Sequence, residues 1–207
     1  LKVWKLPEGG PSTKGRPMIN LLPLAEGEVI SNVLPLPEDE AEWGGLSVVF
    51  ATAKGYARRN SMDAFANIPS NGKIAIKFEG EDADDRLIGV ELLTADDDVL
   101  LASRGGKAIR FAADDIREFQ SRASTGVRAM KLLGGHGNDN VISLSILRRV
   151  GTSPEEREEY LRAAPWKDNE NEPTLPSERR AELTEKEQFI LTVCANGYGK
   201  MSSAYEY

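Results

Sequence analysis

Apolar residues along this chain fall in short runs, not in long stripes. Val48-Val49-Phe50-Ala51, Val99-Leu100-Leu101-Ala102 and Phe189-Ile190-Leu191-Thr192-Val193 are consecutive apolar or β-branched positions, each followed within a few residues by a glycine at Gly55, Gly106 or Gly197. Runs of that length next to turn signals predict buried strands. The basic stretches that follow, Tyr56-Ala57-Arg58-Arg59, Lys107-Ala108-Ile109-Arg110 and Tyr198-Gly199-Lys200, predict the return strands of hairpins. Glycine adopts positive φ without strain, so Lys54-Gly55, Gly105-Gly106 and Asn196-Gly197 are read as two-residue turns of the I′ type.

The hairpin is half of a longer unit. A second glycine with an apolar strand after it occurs at Lys14-Gly15-Arg16-Pro17-Met18-Ile19-Asn20-Leu21-Leu22, at Asn71-Gly72-Lys73-Ile74-Ala75-Ile76-Lys77 and at Thr125-Gly126-Val127-Arg128-Ala129-Met130-Lys131-Leu132. A closing strand follows each time, at 28–33, 86–90 and 140–144. Residues 1–6 match the tail of the hairpin unit, so the chain is expected to enter in mid-hairpin, as a fragment would. Gly55 and Gly106 are 51 residues apart, and Gly106 and Gly197 are 91 apart, which places about 40 extra residues in one repeat. Four short strands per period of about 50 residues predict an all-β fold of propeller-like blades. The expected organisation is a partial blade over 1–45, blades over 46–95 and 96–147, an insertion over 148–188, and the start of another blade over 189–207. Blades outside a closed ring expose sheet edges, so lower stability than in a complete ring is expected.

The insertion has its own signals. Ser153-Pro154-Glu155-Glu156 combines an N-cap serine, a proline at the first helical position and a capping-box glutamate, which predicts a short helix to about Ala164. Pro165 and the stretch from Asp168 to Pro176 interrupt it. A further helical turn is expected either from Thr184-Glu185-Lys186-Glu187 or from Ser177. With 11 acidic and 8 basic residues, the segment reads as a polar, protruding surface excursion. Replacing 150–186 by a short turn is expected to leave the blades folded.

Charge changes the functional picture more than composition does. The net charge is −7, which on its own argues against nucleic acid. Within residues 1–147, however, 15 of 21 acidic residues lie in four short stretches, at 37–42, 79–85, 96–98 and 114–118. Outside those stretches 16 basic residues face 6 acidic ones. Separated signs allow a local basic stripe to attract phosphates whatever the total charge. The bases recur at equivalent repeat positions: Lys5, Arg59 and Arg110 after the turn, with Arg58 and Lys200 one place earlier, and Lys107 directly after its glycine. Lys14 and Arg16, Lys73 and Lys77, and Arg128 and Lys131 flank the second glycine. On a ring of blades these twelve would form a curved track suited to a bent duplex held by its phosphates. Replacing Arg59 and Arg110 by glutamate is then expected to weaken duplex binding and leave the fold intact.

Catalytic signals are absent. The single histidine, His136, sits in a glycine-rich turn without a serine, cysteine or metal-ligand partner. No glycine-rich phosphate loop opens a helix, and acidic clusters such as 81–85 lack the closing glutamate of a calcium loop. Cys194 is the only cysteine and reads as a small buried hydrophobe. Without a spanning apolar run or a signal peptide, a cytoplasmic protein with no membrane partner is expected.

The ordered series Lys14–Leu24 with 27–30, Ala53–Arg59, Asn71–Lys77, Asp85–Val90, Gly105–Phe111, Ser124–Arg128 and Ala195–Lys200 resembles the C-terminal domain of the DNA gyrase A subunit. The resemblance covers 1–147 and 189–207. It implies a β-pinwheel, a propeller-like ring of four-stranded blades that wraps double-stranded DNA around its outer edge. It also implies a gyrase B partner in an A2B2 holoenzyme that supercoils DNA negatively. ATP and Mg would belong to other domains, and no cofactor is expected here. The catalytic tyrosine would lie upstream, so none of Tyr56, Tyr160, Tyr198, Tyr205 or Tyr207 takes that role. The family's basic, glycine-rich wrapping box is missing, and Met201 stands where the family often has a second cation. The related topoisomerase IV domain and a propeller-like protein-interaction module are the alternatives.

Overall fold

A computed structural model describes residues 2–69, 72–122, 124–132, 139–167 and 171–207. His136, Asn71 and Asp168, on which parts of the sequence reading rest, lie outside the described residues. Strands β1 (Ser47–Thr52), β2 (Tyr56–Ser61), β3 (Leu87–Leu93), β4 (Asp97–Ser103), β5 (Ala108–Ala112), β6 (Val127–Arg128) and β7 (Val141–Arg148) precede two helices. These are α1 (Pro154–Arg162) and α2 (Ser177–Lys186), followed by β8 (Phe189–Val193) and β9 (Gly199–Ser203).

The first two apolar runs become central strands because both of their faces are covered. Among the described residues the third, β8, pairs only with β9 and leaves Phe189, Leu191 and Val193 exposed instead of buried as expected. The first sheet has the order β3-β1-β2-β6, the second β5-β4-β7, and β8 pairs with β9; every one of these pairings is antiparallel. Side chains alternate across a strand. Val49 and Ala51 of β1 therefore meet Val99 and Leu101 of β4 in one core, together with Leu93, Ile116, Met130 and Val141. Val48 and Phe50 point the other way, onto Trp43, Met62 and Phe65. Leu100 points away from the first sheet, joining Leu147 and Ala204 with Ile190 and Tyr207 against them. Sheet, sheet and hairpin thus stack face to face in chain order, as propeller blades do.

The sheet boundaries cut across the contiguous blades expected from sequence. β6 belongs to the second repeat, yet it pairs with β2 of the first, Ala57 opposite Val127 and Tyr56 opposite Arg128. Gly126 makes this crossing possible. Its φ is +110°, and a Cβ there would run into the Ala57 carbonyl.

The first 45 residues depart from the strand reading. Among the described ones there are 3-10 turns at Val3–Lys5, Met18–Asn20 and Glu40–Gly45 and no strand. Pro17 and Pro23 remove ladder donors from the expected strand around Met18, and a strand without a neighbour leaves its backbone groups to water with no packing gain. This segment is held by Asn32 Nδ2, which donates to the Val90 carbonyl of β3 at 2.6 Å, and by Trp43, buried against Val48 and Phe50. Residues 72–77 are likewise irregular, although Ala75 and Ile76 pack beneath the first sheet.

The insertion is packed, which corrects its reading as a protruding excursion. The Ser153 capping box forms as expected, with Glu156 N–H donating to Ser153 Oγ at 3.2 Å. The second helix starts at Ser177; Thr184 lies in its last turn and donates to the Arg180 carbonyl at 2.9 Å. Tyr160, Leu183 and Val150 bury against Tyr205, which follows β9. The Tyr160 and Tyr205 rings meet edge to face at 5.4 Å, and Tyr205 Oη donates to the Leu183 carbonyl at 2.9 Å. Excision of 150–186 is therefore expected to leave the first two sheets protected against hydrogen exchange and to release the β8–β9 end. Uncovering Tyr205 alone costs about 2 kcal/mol there. Unchanged exchange in 189–207 would count against this packing.

The same pair makes the helical segment sensitive to alkali. Burial pushes the hydroxyls of Tyr160 and Tyr205 up to about 12 from an ordinary value of 10. Both are neutral in the folded chain, so above pH 10 the unfolded chain loses protons that the folded one keeps, and stability falls as pH rises from about 10 to about 12. Ultraviolet titration should show Tyr160 and Tyr205 ionising late, together with loss of helix.

Candidate nucleic-acid interface

The hairpin tips have one construction, and it differs from the I′ turns expected. Gly55, Gly106 and Gly197 donate to the carbonyls of Thr52, Ser103 and Cys194 at 3.0, 3.0 and 2.9 Å. Their φ angles are +89°, +83° and +84°, and neither Lys54 nor Gly105 nor Asn196 has positive φ. Each tip is thus a four-residue turn closed by a left-handed glycine, the bulged form of hairpin. Thr52 and Ser103 accept from the N–H four residues on, Tyr56 and Lys107, each at 3.3 Å. The third repeat has Cys194 at that position, and it is exposed, not the buried hydrophobe expected.

An aspartate before the closing strand holds each of the first two tips. Asp85 accepts from Lys54 N–H at 3.0 Å, and Asp139 accepts from Gly105 N–H at 2.7 Å and from Ser103 Oγ at 2.9 Å. Both carboxylates are buried, so Asp85, within the acidic run at 81–85, is a structural clamp. The charge-only reading had no means of separating it from Asp84, which faces solvent against Lys54.

The twelve expected cations divide by what their charged atoms meet. Arg58 is fully buried and donates to the carbonyls of Arg122, Ser124 and Ala75, so it cannot touch a phosphate directly. Arg59 is only 13% exposed in its side chain; it pairs with Asp114 at 2.9 Å and donates to the Ile116 carbonyl at 3.0 Å. Arg110, 11% exposed, pairs with Asp98 at 2.9 Å and donates to the Ala204 carbonyl at 2.8 Å. These two equivalent arginines do one job: each binds the 3-10 turn that ends the next repeat's hairpin, at Ala113–Asp115 and Ala204–Glu206. They are staples between repeats, which corrects their assignment to an open phosphate track. Lys73 Nζ is likewise engaged, by the carbonyls of Ala64 and Ala66 at 3.0 Å each.

The remaining cations are more accessible. Lys5, Lys14 and Arg16 are exposed on the irregular first segment. Lys77 and Lys200 carry loose surface pairs with Glu79 at 3.4 Å and Glu206 at 3.5 Å. Arg128, Lys131 and Lys107 are brought together between the first two tips. Ala129 and Met130 both donate to the Gly55 carbonyl, at 2.9 and 3.0 Å, which lays this segment across the first tip. Lys107 Nζ donates to the Lys131 carbonyl at 2.8 Å, joining it to the second. The Arg128 guanidinium lies 5.6 Å from the Tyr56 ring centre and reaches Tyr56 Oη at 3.3 Å. Among the described residues none of these three cations pairs with a carboxylate. Arg104, exposed on the second tip, extends the ridge and was missed because it lies inside the turn and outside the aligned basic strand.

Stacked sheets that exchange a strand define a propeller-like β domain, with exposed cations along its hairpin tips. A family model described as "DNA gyrase C-terminal domain, beta-propeller" matches residues 1–37, 47–93 and 97–148. The chain belongs to this family. The DNA gyrase A subunit of Granulibacter bethesdensis is 47% identical over 230 residues, covering 100% of this chain and 24% of the relative. The corresponding protein of Rickettsia felis is 45% identical over 219 residues, covering 100% and 23%. The chain therefore spans about a quarter of the length of these curated relatives. Among solved structures, one titled "Structure of DNA gyrase A C-terminal domain" aligns with a TM-score of 0.58 at 21% identity, over 91% of this chain and 47% of that one. A topoisomerase IV C-terminal domain aligns with a TM-score of 0.59 at 21% identity, over 73% and 43%. These two likenesses concern the fold. No helix among the described residues is long and apolar enough to cross a membrane.

Proposed function

We propose that this chain is a DNA-wrapping segment of a gyrase A protein, binding duplex DNA through its phosphates and without base readout. The observation that carries the reading is the ridge of Arg128, Lys131 and Lys107 between the hairpin tips, cations with no carboxylate partner among the described residues. Accessible guanidinium and ammonium groups attract a phosphate backbone and release its counterions, whereas cations already paired within the fold contribute little. The names of the full-length relatives support gyrase over topoisomerase IV. In the whole protein the segment would serve ATP-dependent negative supercoiling with a gyrase B partner, while the chemistry resides elsewhere. Fluorescence anisotropy with random-sequence duplexes of several compositions tests the reading. Affinity should be nearly independent of sequence and fall steeply with salt. Salt-insensitive or sequence-selective binding would overturn it.

A further inference from the structure

We propose that the groove between residues 72–77 and 120–122 is a phosphate seat, built over a buried arginine that has no counter-charge. It deepens the proposed function by naming a second phosphate-binding place, and rests on that reading for the source of the phosphate.

Gly72, Lys73, Ile74 and Lys77 line one wall, and Gln120, Ser121 and Arg122 the other. Arg122 ties the walls together by donating to the Ile74 carbonyl at 3.0 Å. Gly72, at φ +84°, has open space where a Cβ would be. Beneath the groove lies Arg58, whose guanidinium stacks 4.5 Å from the Phe50 ring centre. It donates to Arg122 and Ser124 carbonyls on one side and to the Ala75 carbonyl on the other. Its Nε is buried without a partner. Among the described residues no carboxylate pairs with Arg58, Lys73 or Arg122, and Lys77 has only the exposed Glu79. Burial, helped by repulsion from Arg122, draws Arg58 down to about 10.

A guanidinium removed from water is costly unless an opposite charge faces it. Carbonyl dipoles satisfy some of its N–H groups but carry no net charge. An anion in the groove would supply that charge to Arg58 from above while meeting Arg122 and Lys77 directly. Phosphate suits the place, since a guanidinium binds it through paired N–H donors. The seat lies on the same 120–131 segment as the cationic ridge, so one DNA backbone strand and one free phosphate are the two sources to separate.

The test is a nuclear magnetic resonance titration of the 207-residue chain, first with inorganic phosphate against chloride at equal ionic strength, then with a duplex of about 20 base pairs, roughly two helical turns. Phosphate should shift the amides of Gly72–Lys77 and Gln120–Arg122 and raise the melting temperature. Arg122→Gln should weaken phosphate binding about tenfold by removing a charge-assisted hydrogen bond. Lys77→Ala, at an exposed position that supports neither wall, should weaken it about threefold, and serves if the arginine variant fails to fold. Phosphate shifts elsewhere only, or equal affinity in the Lys77→Ala chain, would overturn the seat. Duplex shifts confined to Arg128 and Lys131, beside phosphate shifts in the groove, would keep the seat for free anions and overturn its occupation by DNA while sparing the proposed function. Phosphate shifts with no duplex shift anywhere would keep the seat for free anions and overturn the DNA reading.

Discussion

Arg128→Glu combined with Lys131→Glu should weaken binding of any duplex, by at least about tenfold near 0.1 M salt, and leave the chain folded. Both side chains are exposed, and neither pairs with a carboxylate among the described residues. Each phosphate interaction removed should reduce the slope of log affinity against log salt by about one, so the double variant should be shallower by up to about two. Arg128 offers a further check, because it lies against the Tyr56 ring. Tyr56→Leu removes that support without removing charge, and should weaken binding less than either reversal does. Anisotropy titrations at several salt concentrations measure both affinity and slope. Equal affinity and slope in a folded double variant would leave the ridge as ordinary surface and move the interface to the groove or to Lys5, Lys14 and Arg16.

Arg110→Glu should instead destabilise the fold by about 3–5 kcal/mol, the usual consequence of breaking a largely buried ion pair from one side. The new carboxylate would face Asp98, which now lies 2.9 Å from both Arg110 and Arg149. The Ala204 carbonyl would lose its donor, and with it one polar tie between the second sheet and the β8–β9 end, leaving the apolar contact of Leu100 and Leu147 with Ala204. Arg59→Glu should act the same way one repeat earlier, against Asp114 and the Ile116 carbonyl. Because the sites are separate, their effects should nearly add. Urea unfolding gives the loss directly, and Arg110→Met, which keeps the apolar stem without adding a negative charge, should recover a substantial part of it. A glutamate variant of unchanged stability would mean that the staple does not couple the repeats. These outcomes replace the expectation, drawn from repeat alignment, that the same two substitutions act only on DNA binding.

The sequence by itself determined the repeat, the central strands, the turn glycines and the first insertion helix. Each of these depends on neighbours close in the chain: a run of Val, Leu and Phe beside a turn, a left-handed position that glycine occupies without strain, a serine three residues before a glutamate. It also determined which residue types could meet phosphate. Which of them face outward was decided by tertiary structure. Arg59 and Arg128 have the same charge, but Asp114, 55 residues from Arg59, pairs with it, while Arg128 lies against Tyr56 and pairs with no carboxylate among the described residues. Arg58 and Arg59 are adjacent on one strand, so alternation sends one beneath residues 72–77, Arg122 and Ser124 and the other toward the next repeat. The exchange of β6 into the first sheet was equally hidden, because Gly126 reads in sequence as one more turn glycine. Only the approach of the Ala57 carbonyl shows why no side chain can stand there. Charge periodicity reports where a cation recurs, but burial and partners at long sequence separation decide whether its charge reaches solvent.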